Sequence, residues 1–323
     1  MSATPLPASH AVGTLPGLKE PQLLAGPGGV VWLLWLEQRP QEKGRTTALI
    51  RPFGASHQTP RELTPAPRSL RSRVHDYGGG VLTAAVNNDQ LLLVWIEAGC
   101  LWRQDWQLPE NAALQPQPLT TPVRLSLPGE GELADGQLDQ IHQRWIGIRE
   151  VDGLDQLVWL PLDARDQSPQ LLHQPADFAG YACLSPDGQH LAWVEWQQPS
   201  MPWDSSSLWC AEVGSDGALF NPRQLAGETG VSVFQPQWLP DGRLLVAEDS
   251  SGWWNLMVKH PDETSWQRPW PMAAETAMPQ WIYGMSTTAW DGTDLLAAVC
   301  SRGSWTLKPV SYTHLRAHET ACN

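Results

Sequence analysis

Lysine is scarce in this chain of 323 residues, and its scarcity restricts the partners that the protein can bind. Only four lysines are present, and 34 acidic residues outnumber 21 Lys and Arg, which gives a net charge of −13. Nucleic acids and anionic membrane surfaces attract proteins through clustered positive charge. The sequence has no basic stripe, so we expect neither nucleic acid nor a membrane as a partner.

Long apolar runs and closely spaced cysteines are also missing. No stretch reaches the roughly 18 apolar residues of a membrane-spanning helix, and residues 1–17 lack the basic start and apolar centre of a secretory signal. The five cysteines form no C-x-x-C motif, which predicts free thiols rather than a zinc or redox site. We therefore expect a cytoplasmic protein without a metal or cofactor, and the oligomeric state stays open.

The chain contains a repeated turn motif, in which Asp-Gly pairs recur at nearly constant spacing. The glycines Gly136, Gly188, Gly242 and Gly292 each follow an aspartate and lie 52, 54 and 50 residues apart. Asp-Gly suits a tight hairpin, because glycine tolerates positive φ and aspartate tolerates the left-handed region. We expect a hairpin turn at each of these pairs.

Short apolar runs accompany the turns and predict strands. Runs that end in or near an acid occupy residues 30–36, 91–96, 145–148, 191–194 and 244–247, and a second apolar run follows each at residues 47–50, 101–102, 157–160, 208–210 and 255–258, with 305–307 in the last repeat. Runs of this length are typical of strands rather than helices.

A period of about 50 residues with several short strands per repeat is typical of a β-propeller. The sequence predicts an all-β propeller with about five complete blades and a partial sixth, with boundaries near residues 22, 78, 133, 181, 233 and 285. We expect residues 1–21 to lead into a partial propeller over residues 22–309. Residues 310–323 resemble translated sequencing-adapter read-through, and we expect a non-native tail there.

Tryptophan is abundant, with 19 residues against four Phe and four Tyr. Large flat rings can fill the wedge between neighbouring blades, so packing is the main interpretation of the excess. A stacking platform for a ligand is the alternative, and it suits the loop residue Trp203 best.

Catalytic motifs are missing from the sequence. There is no G-x-S-x-G nucleophile elbow, no phosphate-binding loop and no dinucleotide fingerprint. His314 and His318 share the spacing of a metal-binding helix but lack a third ligand, so we expect no metal site there.

Two polar segments are the strongest candidates for a functional surface. Residues 71–80 form a charged loop that leads through three glycines into a strand, and residues 193–209 contain a proline-interrupted loop between two strands. Loops between strands often carry binding residues, although a purely structural role in fixing blade register is the alternative. The candidate substrate-channel residues are Arg71, Arg73, His75 and Trp203.

At these segments the sequence resembles the N-terminal propeller of the prolyl oligopeptidase family of serine peptidases, in particular the dipeptidyl-aminopeptidase and acylaminoacyl-peptidase-like branch. The resemblance covers roughly residues 15–310, and it depends on the combination of stretches W-L-E-Q-R-P (35–40) with G-R (44–45), L-T-P (63–65), R-V-H-D-Y-G-G-G (73–80), L-S-P-D-G (184–188), M-P-W-D (201–204), F-Q-P (234–236) and S-G-W-W-N-L (251–256).

The resemblance implies a propeller of seven or eight blades in the intact protein that restricts access to an α/β-hydrolase domain with a Ser-Asp-His triad. No residue of this chain matches the triad motif, so the resemblance gives no catalytic residue here, and we expect the chain alone to be inactive. A stand-alone binding or scaffold propeller is the alternative function, and a glycosidase propeller is a third, weaker one.

Overall fold

The computed structural model describes residues 15–290 and 294–310, and the regular structure of this part is β-sheet. It contains 23 strands and no α-helix, and three single-turn 3-10 helices join strands at Pro27–Gly29, Pro40–Glu42 and Val74–Asp76. The strands form six successive antiparallel sheets in chain order. The described residues therefore form an all-β fold, whose six sheets follow one another in a β-propeller arrangement.

The first two sheets lie in the N-terminal part of the chain. The first sheet has the order β1-β2-β3-β4, with strands Gly17–Ala25, Val31–Arg39, Arg45–Pro52 and Arg61–Glu62. In the second sheet β5-β6-β7-β8 are neighbours and β9 also pairs with β7, with strands Leu82–Asn87, Gln90–Glu97, Cys100–Gln107, Gln117–Pro118 and Val123–Arg124.

The third and fourth sheets each have four strands in sequence order. The third contains β10 to β13, with strands Glu132–Asp139, Arg144–Val151, Leu154–Pro161 and Gln170–His173. The fourth contains β14 to β17, with strands Phe178–Leu184, His190–Trp196, Ser207–Val213 and Leu219–Ala226.

The last two sheets have three strands each within the described residues. The fifth contains β18 to β20, with strands Val233–Trp238, Leu244–Glu248 and Asn255–Lys259, and the sixth contains β21 to β23, with strands Thr288–Trp290, Leu295–Ser301 and Ser304–Val310. In the fifth sheet a single bridge between Val258 and Gln267 stands where a fourth strand would pair. The blade count thus differs slightly from the five complete blades and partial sixth that the sequence predicts.

Residue contacts divide the chain into two compact units. The first contains residues 15–138 and 161–168, and the second contains residues 139–160 and the described residues from 169 onwards.

The predicted strands agree with the structure, and one predicted turn does not. The acid-ended runs form the second strand of the first five sheets, and the runs that follow them form the third strand. Asp135-Gly136, predicted as a hairpin turn, lies inside β10 instead, because Asp135 takes its left-handed conformation (φ 52°) within the strand. The turn at Asp291-Gly292 and the His314/His318 pair lie outside the described residues, as do residues 311–323 of the predicted tail.

The core is built from side chains that are buried at alternate positions along the strands. In β2, Trp32, Leu34 and Leu36 are buried at every second position, as expected where one face of a strand is covered. Trp95, Trp145 and Trp193 are likewise buried, and this supports packing as the main role of tryptophan. Three tryptophans depart from this pattern, since 42–56% of each is exposed: Trp253, Trp281 and Trp305.

A bulge interrupts the first strand of several sheets. The pairing register shifts between Lys19 and Gln22 in β1, between Gly180 and Cys183 in β14, and between Phe234 and Gln237 in β18. Each bulge contains one residue with positive φ: Glu20, Tyr181 and Gln235. A bulge turns one side chain away from the normal alternation, so these three side chains can reach residues outside their own sheet.

Candidate functional site

The segment from Arg71 to Gly80 joins the first sheet to the second and has an irregular backbone. His75 and Asp76 are consecutive left-handed residues, with φ 52° and 64°. A non-glycine residue in this region costs about 1–2 kcal/mol, and buried Val74 anchors the turn in the core. The backbone N–H of Arg71 donates to the Ile96 carbonyl at 3.0 Å, which fixes the start of the segment.

A cleft of about 540 Å³ opens beside this segment in the first unit. Its walls come from the start of β1, the hairpin between β2 and β3, and the residues that follow the first sheet. The residues with polar or charged side chains that line it include Lys19, Glu20, Gln38, Glu42, Lys43, Arg45, Arg71, Ser72 and Tyr77. Of the residues predicted from the sequence, Arg71 therefore lines the cleft, whereas Arg73 and His75 do not.

Two lining residues, Glu42 and Arg45, belong to an ion-pair network that continues away from the cleft. Arg45 donates to Glu42 and, at 2.6 Å, to Glu62, and Arg39 donates to Glu37 at 2.7 Å and to Glu62 at 3.2 Å. The hydrogen bond from Arg45 lowers the pKa of the Glu42 carboxyl below its ordinary value. These arginines are already neutralised by acids of the same sheet.

Glu20 lies at the bulge of β1 and reaches the start of the second sheet. Its carboxylate accepts hydrogen bonds from the backbone N–H groups of Val81 at 3.1 Å and Leu82 at 3.2 Å. Burial of the carboxyl raises the pKa of Glu20 to about 7, although these backbone hydrogen bonds act in the opposite direction. Sequence reasoning missed Glu20, because only the bulge turns it towards the next sheet.

The second candidate region lies in the other unit, in the loop between β15 and β16. The Asp204 carboxylate accepts from the backbone N–H of Met201 at 3.2 Å, and the Asp204 N–H donates to the Met201 carbonyl at 2.9 Å. The hydroxyl of Ser232 donates to the carbonyl of buried Pro202. The M-P-W-D sequence thus closes a tight turn that holds Trp203 in place.

Trp203 pairs with a second tryptophan at the surface. The ring centroids of Trp203 and Trp281 lie 4.3 Å apart with an angle of 41° between the planes, and 56% of Trp281 is exposed. Trp203 also packs against the cluster that contains Phe234 and Trp254. Trp203 is therefore both a packing residue and half of an exposed aromatic pair. Trp281 was missed because it lies 78 residues away in a stretch with no strand pattern.

The buried side chain of Gln280 precedes Trp281 in the chain. Its Nε2 donates to the Val233 carbonyl at 3.1 Å, and its Oε1 has no partner among the described residues. A buried acceptor without a partner costs free energy, typically about 1–3 kcal/mol.

Other kinds of site have little support in the described part of the chain. Within residues 15–290 and 294–310, no group of three or more His, Cys, Asp or Glu has the arrangement of a metal site. The four described cysteines are free, and burial raises the pKa of the Cys210 thiol to about 12, which makes it a poor nucleophile. None of the described residues forms a helix long and apolar enough to cross a membrane.

Comparison with known proteins places this fold among peptidases. No protein-family model and no curated protein matches the sequence. Among solved structures, a puromycin-hydrolysing peptidase from Mycobacterium tuberculosis is 28% identical with a TM-score of 0.80, and the match covers 97% of this chain and 48% of that one. A puromycin hydrolase is 25% identical with a TM-score of 0.79, covering 96% and 47% of the two chains.

A more distant similarity agrees at the level of the fold. Prolyl oligopeptidase B from Galerina marginata is 11% identical with a TM-score of 0.59, and the match covers 93% of this chain and 43% of that one. The chain thus spans about half the length of the peptidases that it matches. The comparisons confirm the resemblance inferred from the sequence, to the β-propeller of prolyl oligopeptidase family peptidases.

Proposed function

We propose that this chain is the substrate-gating propeller of a serine exopeptidase or oligopeptidase that acts on short peptides. The observation that carries the proposal is the similarity over 97% of this chain, at 28% identity, to one half of a peptidase. The described strands are accounted for by the propeller, and the sequence contains no nucleophile elbow. The hydrolytic chemistry is therefore assigned to a catalytic domain outside this sequence.

The candidate residues take substrate-side roles in this proposal. Arg71 lines a cleft, and Trp203 with Trp281 offers a partly exposed aromatic surface. Aromatic surfaces of this kind bind apolar side chains. The sequence also predicts Arg73 and His75 as channel residues, but neither lines the cleft, and the proposal assigns them no contact with the substrate.

The chain alone is expected to be catalytically inactive. Purified protein incubated with aminoacyl and dipeptidyl chromogenic substrates should release no chromophore above the buffer rate, because the sequence contains no nucleophile elbow. An active peptidase of the same family, assayed in parallel, provides the positive control. Turnover that a serine-directed inhibitor abolishes would show that the active site lies within this chain.

The gene itself distinguishes the proposal from a stand-alone scaffold propeller. Genomic sequence beyond codon 309 should continue as an open reading frame of domain length that encodes G-x-S-x-G. A stop codon shortly after the last blade would favour the scaffold instead.

A further inference from the structure

The cleft beside Arg71 concentrates positive charge in a protein that is otherwise acidic. Two of the four lysines of the chain, Lys19 and Lys43, line it together with Arg71, although the net charge is −13. They come from three separate parts of the first unit: the start of β1, the β2–β3 hairpin and the segment after the first sheet. Local charge of one sign in an opposing background attracts ligands of the opposite sign.

These three cations differ from the arginines of the ion-pair network. Arg39 and Arg45 are engaged by Glu37, Glu42 and Glu62. Among the described residues, by contrast, no acid forms an ion pair with Lys19, Lys43 or Arg71. The cleft therefore presents cationic side chains whose charge the protein itself does not neutralise.

We propose that this cleft binds the C-terminal carboxylate of a short peptide, an inference that rests on the proposed function. The guanidinium of Arg71 matches the geometry of a carboxylate, which it can bind through two parallel hydrogen bonds. Tyr77, exposed along the same cleft, offers a surface for the residue that precedes the carboxylate.

A peptide carboxylate, rather than a phosphate, is the anion that the proposed function supplies. Charge alone does not choose between the two anions, because attraction by the three cations and repulsion by Glu20 and Glu42 both grow with the charge of the ligand. Only a peptide also offers a residue that can pack against exposed Tyr77, so trialanine should bind more tightly than phosphate.

The sequence supplies a matched control for this assignment. Arg73 lies two residues from Arg71 and is also exposed, but it does not line the cleft. Arg71→Gln and Arg73→Gln therefore remove the same charge from the same loop, and only the first removes it from the cleft. Lys43→Gln and Lys308→Gln form a second such pair, since exposed Lys308 belongs to the last strand.

The test is a titration of the purified 323-residue chain at constant ionic strength with trialanine, with trialanine amide and with inorganic phosphate. We expect trialanine to bind at least tenfold more tightly than its amide or phosphate. Arg71→Gln should weaken trialanine about tenfold, as expected for loss of a charge-assisted hydrogen bond. Lys43→Gln should weaken it less, and Arg73→Gln and Lys308→Gln should leave it within twofold.

Several results would overturn the assignment: equal binding of acid and amide, phosphate binding as tight as trialanine, no binding of trialanine, or equal losses in Arg71→Gln and Arg73→Gln. The proposed function fails separately. If the gene ends without G-x-S-x-G while trialanine still binds through Arg71, the chain is a peptide-carboxylate-binding propeller without a peptidase domain.

Discussion

Two sheets use the bulge residue of their first strand for the same contact, one with a carboxylate and the other with an amide. In the first unit, Glu20 accepts hydrogen bonds at 3.1 and 3.2 Å from two consecutive backbone N–H groups, at residues 81–82 of the second sheet. In the second unit, Gln235 accepts at 2.8 and 3.3 Å from the N–H groups of residues 287–288, at the start of the sixth sheet. The N–H groups belong to buried residues in both cases.

The two contacts differ in what else the side chain can do. The Nε2 group of Gln235 also donates to the Ser286 hydroxyl at 2.6 Å and to the Thr288 carbonyl at 2.9 Å. Glu20 has no such donor when ionised, and burial raises its pKa to about 7. The amide therefore satisfies the adjoining backbone at any pH, whereas the carboxylate makes the same link between sheets sensitive to pH.

Truncation of each bulge residue in turn to alanine should give the largest loss of stability. The two losses should differ, because the two contacts differ in charge. Gln235→Ala leaves two buried N–H groups without a partner and is expected to lower the free energy of unfolding by about 3 kcal/mol. Glu20→Ala should cost less at pH 8, because it also removes a buried carboxylate. Denaturant unfolding of both variants at pH 8 measures the difference, with Lys19→Ala as the neighbouring control. A larger loss in Glu20→Ala would contradict this account.

Gly80 tests the backbone next to the Glu20 contact. It has φ +59°, and an added Cβ would lie 2.6 Å from the Cα of Asp135, whose N–H donates to the Gly80 carbonyl at 2.9 Å. Gly80→Ala is expected to cost about 2–3 kcal/mol, from the left-handed conformation together with the clash.

Gly29 is the matched control, because it has φ +74° and open space around its Cα. Gly29→Ala should cost only the conformational part, about 1 kcal/mol. If both variants lost the same free energy of unfolding, the close approach of Gly80 to Asp135 would not contribute to the cost of Gly80→Ala.

The sequence predicted the strands because their signals are local. Runs such as residues 91–96 carry their apolar pattern within a few residues, and pairs such as Asp187-Gly188 favour a turn by their own backbone preferences. Asp135-Gly136 shows the limit of this reasoning, since the same dipeptide lies inside β10. The left-handed preference of aspartate is used there for a strand irregularity, and only the neighbouring strands decide between the two outcomes.

The candidate sites depend on contacts between distant residues, and only part of each site could be predicted from the sequence. Arg71 and Trp203 were found because their loops are unusual in composition. Lys43, Glu20 and Trp281 were not, because each joins its site through the arrangement of separate strands and loops. No local pattern in the sequence marks Trp281 as the partner of a residue 78 positions earlier.

The most direct test of the opening comparison is Glu20→Gln, because this variant converts the carboxylate into the amide found at the equivalent bulge. The folded-state pKa of Glu20, about 7, lies above its ordinary value of 4.5, so the folded protein holds a proton that the unfolded chain releases between these values. The stability that this proton provides is complete below about pH 4.5 and is lost as the pH rises through 7. Between pH 5 and 7 the loss should be about 2 kcal/mol.

Glu20→Gln keeps an accepting oxygen and cannot ionise, so the variant should become more stable than the parent as the pH is raised from 5 to 8. Denaturant unfolding at several pH values gives the difference in the free energy of unfolding, in which the titrations of all other groups cancel. Gln235→Glu is the reciprocal variant, and it should acquire the falling pH dependence that Glu20→Gln loses. A difference between Glu20→Gln and the parent that stays constant with pH would mean that Glu20 ionises normally in the folded protein, and the contrast between the two bulges would then be one of hydrogen-bond number alone.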